Sequence, residues 1–237
     1  MVQVCLNGVR GAGDGSAVPL SPEAMAEAAE RAVAAGAREV QLHPKSPCGH
    51  DTLSPRAVTA TLEAVRSRVA VPVGVAAAAE VDPGRRVERV RSWTVLPDHV
   101  SVNWAEPGAE ELATALIERG VGIEAGISSG TGAARRFLAS PWGPRVLRVR
   151  AEVTEHDPDA AETSAYRLLA DLGAAHGRPV LLHGVAGGAW PVVWLARRLG
   201  LGVRVGLEDT LLLPDGRPAT SNAQLVRAAS AEPPSGP

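Results

Sequence analysis

Phenylalanine and tyrosine occur once each in the 237 residues, and aromatic side chains make up only 3% of the chain. A core in a chain of this length must therefore be aliphatic, built from Val, Leu and Ala. Cysteine is nearly absent. Cys5 and Cys48 are the only two, too few for the disulfide framework that staples small exported domains. No apolar run approaches the ~18 residues of a membrane-spanning helix. The opening MVQVCLNGVRG also lacks the basic end and long apolar stretch of a signal peptide. The expectation is a cytoplasmic protein without membrane contact. A formal net charge of -2 leaves no bulk basic field to attract nucleic acid. The tryptophans, Trp93, Trp104, Trp142, Trp190 and Trp194, accompany no basic stripe and read as packing or interface groups.

What is present is an alternation. Short apolar runs at Val2–Leu6, Glu39–His43, Val71–Val75, His99–Asn103, Gly122–Ala125, Val146–Val153, Val180–His183 and Val203–Leu207 each precede a longer helical run. The first helix is signalled by Ser21 as cap and Pro22 in its first turn, and by Gly36 as its stop. Strand–helix alternation implies parallel strands, because each crossover needs a helix. Near-continuous apolar strands are expected where both faces are covered. Eight such units in a chain of this length predict a single (β/α)8 TIM barrel over residues 1–230, with 231–237 as a disordered tail. An open doubly wound sheet is the alternative.

In such barrels the active site lies at the carboxyl ends of the strands. Those ends carry Asn7, Gln41 with His43, Ser101 with Asn103, Glu124, Glu152, His183, and Glu208 with Asp209. Only the third, ending in Ala76–Ala79, contributes nothing polar. Gln41 and His43 are two apart and share a face. Lys45 continues that face if the strand passes Pro44. Glu208 and Asp209 are adjacent, so on a strand they face opposite ways. Closure of the barrel lets His43 and Glu208 meet over its mouth, either as metal ligands or as a hydrogen-bonded pair.

The segments AAGAREVQLHPK and VRVGLEDTLLLPDGRPATSNAQLV resemble the β-keto acid cleavage enzymes, a family that includes 3-keto-5-aminohexanoate cleavage enzyme. The opening LNG with VPLSPEAMAEAA, and VSVN in the fourth strand, extend the resemblance along most of the chain. It implies a barrel that binds a divalent metal, usually zinc, through a His-x-His pair and a Glu. His43 and Glu208 match, and Gln41 stands where the first His is expected. Gln is a poorer zinc ligand than imidazole, and His50, Cys48 or His183 would have to complete the site. The resemblance also implies transfer of an acyl group from a small β-keto acid to acetyl-CoA, giving acetoacetate and a new acyl-CoA.

By the same resemblance, Arg204 and Asp209 would activate the chemistry. Ser101 matches a Thr that contacts substrate, with Asn103 on the same face and Asn7 and Lys45 nearby, and Glu124 matches a carboxylate of the fifth strand. Arg10 stands at a Glu that reads a substrate amine, which favours an anionic or neutral substrate tail. Gly184, Gly187 and Gly188 lie where the coenzyme is contacted and could offer backbone N–H groups to a phosphate, but the Arg of that segment is missing. Two other functions fit the residues: a Schiff-base lyase or aldolase using Lys45, and a non-catalytic barrel that binds an organic acid. The apolar Trp190–Leu199 helix permits a homo-oligomer.

Overall fold

A computed structural model describes residues 1–15, 17–77 and 83–231. Eight parallel strands, β1 (Val2–Cys5), β2 (Glu39–Leu42), β3 (Val73–Ala76), β4 (His99–Asn103), β5 (Gly122–Ser128), β6 (Arg148–Val153), β7 (Val180–Gly184) and β8 (Gly202–Val205), close in chain order, with β8 pairing back to β1. The helices α1 (Pro22–Ala34), α2 (Pro55–Arg66), α3 (Pro83–Ser92), α4 (Ala109–Glu118), α5 (Ala133–Ala139), α6 (Pro158–Leu172), α7 (Ala189–Arg198) and α8 (Asn222–Ser230) form the outer ring. The barrel, not the open sheet, is the fold.

Local chemistry starts the helices where the sequence predicts. The Oγ atoms of Ser21, Ser54 and Ser221 accept from Ala24, Ala57 and Gln224 N–H, and Pro22 and Pro55 occupy first-turn positions whose N–H would have no partner. Gly36 takes a φ of 115° after α1. Trp93, Trp104 and Trp190 are buried, and Trp190 stacks on Trp194 at 5.5 Å. Among the described residues no helix is long and apolar enough to cross a membrane. Residues 232–237, nearly all of the expected tail, and Ala78 and Ala79 lie outside the described residues.

The strands depart from the expectation of continuous apolar runs. Except in β3 and β7 they alternate, with apolar side chains turned out to the helices and polar ones turned in. In β6, Val149, Ala151 and Val153 alternate with Arg148, Arg150 and Glu152, and in β4, Val100 and Val102 alternate with His99, Ser101 and Asn103. The barrel interior is therefore filled with ion pairs and hydrogen bonds rather than layers of branched aliphatics. At its amino end Arg148 pairs with Glu39 at 2.6 Å and donates from Nε to Glu124 at 2.7 Å. Gln3 Nε2 donates to the other side of the same carboxylate oxygen at 2.9 Å.

Strand ends also shift. β5 runs three residues past its expected end at Ala125, and β8 stops at Val205 rather than Leu207. Gly206 makes that early stop, since a Cβ there would lie 1.9 Å from the Cys5 carbonyl oxygen. The chain turns at once, Asp209 and Thr210 N–H both donating to the Gly206 carbonyl. Glu208 and Asp209 thus sit in a turn, where strand alternation does not separate them.

Candidate active site

His43 follows β2 directly and is 4% exposed. Its backbone is fixed by Asn7: the His43 N–H donates to Asn7 Oδ1 and Asn7 Nδ2 donates to the His43 carbonyl, both at 2.9 Å. Asn7 is fully buried and spent on this brace, which replaces its expected contact with substrate. The His43 ring has Nδ1 at 2.7 Å from Asp51 and Nε2 at 3.7 Å from Glu208 Oε2. Asp51 was not foreseen as a site residue. It lies in the loop before α2, and its approach rests on the isolated bridge between Lys45 and Asp51.

Arg204 gathers the carboxylates of the β8 turn. Its Nη2 contacts Glu208 Oε1 and lies 3.1 Å from Asp209 Oδ1, so the two acids share one guanidinium instead of facing opposite ways. Asp209 also meets His183 Nδ1 at 3.1 Å and accepts from Cys5 Sγ at 3.3 Å. Arg150 Nη1 donates to Glu152 at 2.7 Å and lies 3.1 Å from His183 Nε2. Since that nitrogen faces a donor, the His183 proton belongs on Nδ1, toward Asp209. Burial alone would raise the Asp209 carboxyl, but Arg204 and His183 hold it far below the usual carboxylate range. Glu152 is lowered as well: burial opposes this, and Arg150 and His183 outweigh it. Burial pushes the Cys5 thiol well up, which leaves it a neutral donor.

Four expected substrate or catalytic groups are committed elsewhere. Ser101 Oγ donates to Glu124 at 2.6 Å and accepts from Gln41 Nε2 at 3.2 Å. Glu124 is fully buried; burial would raise it, yet Arg148, His99 and Arg150 hold it down as a fixed anion. Arg10 donates to the carbonyls of Leu207 at 2.6 Å and Glu208 at 3.3 Å, so it braces the β8 turn. Lys45 Nζ is surrounded by Asp51, the Gly8 carbonyl at 2.6 Å and the Arg10 carbonyl at 2.9 Å, with its side chain 1% exposed. An ammonium has three donors and all three are used, an arrangement that leaves no open amine for a Schiff base. Asn103 stays half-buried at the mouth, with Oδ1 accepting from Ala105 N–H.

The glycines after β7 have a packing role. A Cβ on Gly187 would meet the His156 carbonyl oxygen at 2.3 Å, and one on Gly188 the Glu155 carbonyl at 2.2 Å. A cavity of about 700 Å³ lies beside the mouth and is lined by Leu20, Lys45, Ser46, Cys48, Ser54 and Arg56 among others.

Two observations fit a divalent cation between His43 and Glu208. Glu208 Oε2 is buried without a hydrogen-bond partner, facing an imidazole nitrogen whose ring partner, Asp51, holds the other side. Among the described residues five interior carboxylates (Glu39, Glu124, Glu152, Glu208, Asp209) oppose three guanidiniums (Arg148, Arg150, Arg204), an excess of two negative charges, one of which lies at the mouth. The donor set is short, however. Gln41 turns its amide nitrogen to Ser101, and no group of three or more His, Cys, Asp or Glu side chains among the described residues is placed to hold a metal. His183 is spent on Arg150 and Asp209, and Cys48 and His50 are exposed on the loop after β2. None of the three completes the pair.

A closed parallel barrel with charged side chains converging at the carboxyl ends of β2 and β8 has the architecture of a TIM-barrel enzyme. The chain belongs to the beta-keto acid cleavage enzyme family, whose model matches residues 1–136 and 146–232. No curated protein matches it. Among solved structures it is similar to ObcA, solved as a ternary complex with a C4-CoA adduct and oxalate, at a TM-score of 0.74 and 16% identity over 91% of this chain. The chain spans 63% of the length of that protein. It is similar also to type I 3-dehydroquinate dehydratase from Clostridium difficile, at 0.62 and 10% identity over 98% of this chain and 93% of that one. Dihydropteroate synthase from Yersinia pestis gives 0.58 and 14% over 97% and 91%. At these identities the structures share the fold with this chain and nothing finer.

Proposed function

We propose that this chain exchanges acyl groups between a small β-keto acid and acetyl-CoA, the acid's acyl group passing to CoA and the acetyl group to the carboxymethyl fragment left behind, giving a new acyl-CoA and acetoacetate, with a divalent metal held by His43 and Glu208. The observation that carries the reading is the 3.7 Å approach of His43 Nε2 to an unpartnered Glu208 Oε2 at the barrel mouth, within a chain of this family. A metal bound there would polarise the ketone and balance negative charge as the carbon–carbon bond breaks. The protein's own part is electrostatic preorganisation. Arg204 fixes Glu208 and Asp209 together, and Asp209 keeps Arg204 a permanent cation: burial disfavours its charge, and the Asp209 and Glu208 carboxylates outweigh this. A charge that develops at the mouth therefore meets groups already oriented. The ObcA complex contains a CoA adduct, which supports the coenzyme reading. The cavity beside Lys45, with Arg56 on its wall, is the space where a long anionic molecule would lie. Zinc- or manganese-loaded protein, offered acetyl-CoA and a panel of small β-keto acids, should release acetoacetate. No turnover with any member of the panel would end the proposal.

A further inference from the structure

We infer that Lys45 and Asp51 are positioning residues that fix the tautomer of His43 and hold the loops carrying His43 and Glu208 in register. The inference deepens the proposed function and rests on that site, but its test does not depend on turnover. Lys45 is the only lysine in the sequence; every other Lys or Arg position is an arginine. It is placed where arginine cannot substitute. A compact ammonium with three diverging donors satisfies the Gly8 carbonyl, the Arg10 carbonyl and Asp51 Oδ1 together, whereas a planar guanidinium is too large and its donors lie in one plane.

The consequences spread through three loops. In the loop after β2, Lys45 orients Asp51, whose Oδ2 lies 2.7 Å from His43 Nδ1. A carboxylate accepts, and only Asp51 is within hydrogen-bond distance, Glu208 lying 3.7 Å from Nε2, so the ring proton sits on Nδ1 and the Nε2 lone pair faces Glu208. This is how an outer carboxylate fixes the tautomer of a histidine ligand. In the loop after β1, Lys45 pins the carbonyls on both sides of Val9. Arg10 from that loop then binds the carbonyls of Leu207 and Glu208. A single ammonium thus couples the carrier of the imidazole to the carrier of the carboxylate.

The test uses metal-free full-length protein first. Side-chain ¹⁵N-lysine labelling gives one Nζ resonance, assignable without mutagenesis, and ¹⁵N-histidine labelling reports the His43 tautomer. The expected result is a slowly exchanging Nζ signal and a His43 ring protonated on Nδ1, both lost in Asp51→Ala, with Asp51→Asn keeping the Nδ1 tautomer through its amide oxygen. Zinc titration should then rank wild type above Asp51→Asn above Asp51→Ala, with a loss of about 10–100-fold for the last. Lys45→Arg should lose affinity even though it keeps a positive charge. A wild-type ring protonated on Nε2, or an unchanged tautomer in folded Asp51→Ala, overturns the inference. Absence of zinc binding by wild type with the Nδ1 tautomer intact would instead sink the metal reading and leave the positioning role standing.

Discussion

The two ends of the barrel interior use the same residue types and differ in closure. At the amino end Glu39, His99 and Arg148 each begin a strand and meet Glu124 and Gln3 in a dry, buried cluster, in which Gln3 Oε1 and His99 Nδ1 lack hydrogen-bond partners. At the carboxyl end Glu208 and Glu152 remain about one-fifth exposed, and one Glu208 oxygen lacks a partner. Each region holds one carboxylate more than its guanidiniums, Glu39 and Glu124 against Arg148 below, and Glu152, Glu208 and Asp209 against Arg150 and Arg204 above. The barrel thus seals its lower charges away from water and leaves the upper ones open where a ligand arrives.

The sharpest way to break that contrast is Arg148→Met. It leaves Glu39 and Glu124 buried without their cation, a defect that costs about 3–5 kcal/mol. In a chain of this size that is a melting-temperature fall of about 6–20 °C, readable by calorimetry. Acid should act on both ends. Glu124, Asp209 and Glu152 all have lowered folded pKa values, so the unfolded chain takes up protons first as pH falls. Their contribution is complete above the unfolded carboxylate value of about 4 and is lost below it. His99 adds to this from higher pH. Burial, its main influence, lowers its pKa, so stability begins to fall once pH drops below about 6.5. A denaturant series at pH 7, 5 and 3 should show this order, and Arg148→Met should unfold at a higher pH than wild type.

At the mouth the expected effect moves from stability to chemistry. Glu208→Gln removes one of the excess negative charges and keeps the side chain's shape. Turnover should fall by about 10²-fold, or ~2.7 kcal/mol, while stability stays within about 1 kcal/mol of wild type. A loss of stability as large as that of Arg148→Met would show that the two ends do not differ in kind. Gly8→Ala should give a smaller version of the same effect. Gly8 has a φ of 55°, and a Cβ there would lie 2.3 Å from Glu208 Cγ. The left-handed backbone costs about 1–2 kcal/mol for a residue with a side chain, and Glu208 must shift to make room.

The sequence made one of these regions far more readable than the other. His43, Glu208, Arg204 and Asp209 lie in ordered segments at the ends of the second and last strands, and the structure brings them together. The lower cluster was hidden because its pairs are distant in the chain. Arg148 reaches Glu39, and Gln3 reaches Glu124 across 121 positions, and nothing local marks such partners. Arg148 and Arg150 also sat inside a strand assumed to face an apolar interior. The alternation of Val with charged residues in LRVRAEV was the available signal for an inward polar face. Asp51 escaped for another reason: its contact with His43 depends on how a loop folds back, which spacing does not determine. Asn7, Arg10 and Lys45 were read as substrate contacts from their place at the mouth, but the carbonyls around them claim their donors first.

Gln41 joins the two regions and offers the finest test. Its amide nitrogen donates to Ser101, which donates to Glu124, so the residue two before His43 already belongs to the buried network below. Its Oε1 is buried without a partner. Gln41→His would supply an imidazole on the face of β2 that carries His43, at the cost of the bond to Ser101, about 1 kcal/mol. If ligand number limits metal binding at the mouth, zinc affinity measured by titration should rise tenfold or more, a gain of ~1.4 kcal/mol. An unchanged affinity would mean that the new ring is held by the cluster below. Space favours that competition being close. Gly74, beside Gln41 on β3, is a glycine because a Cβ there would collide with Gln41 Oε1 at 2.2 Å and with the His99 ring at 2.1 Å. The same packing restricts where an imidazole at position 41 can turn. The double variant Gln41→His with Ser101→Ala removes the lower partner, and a rise in affinity in the double but not the single variant would locate the restraint in the buried cluster below.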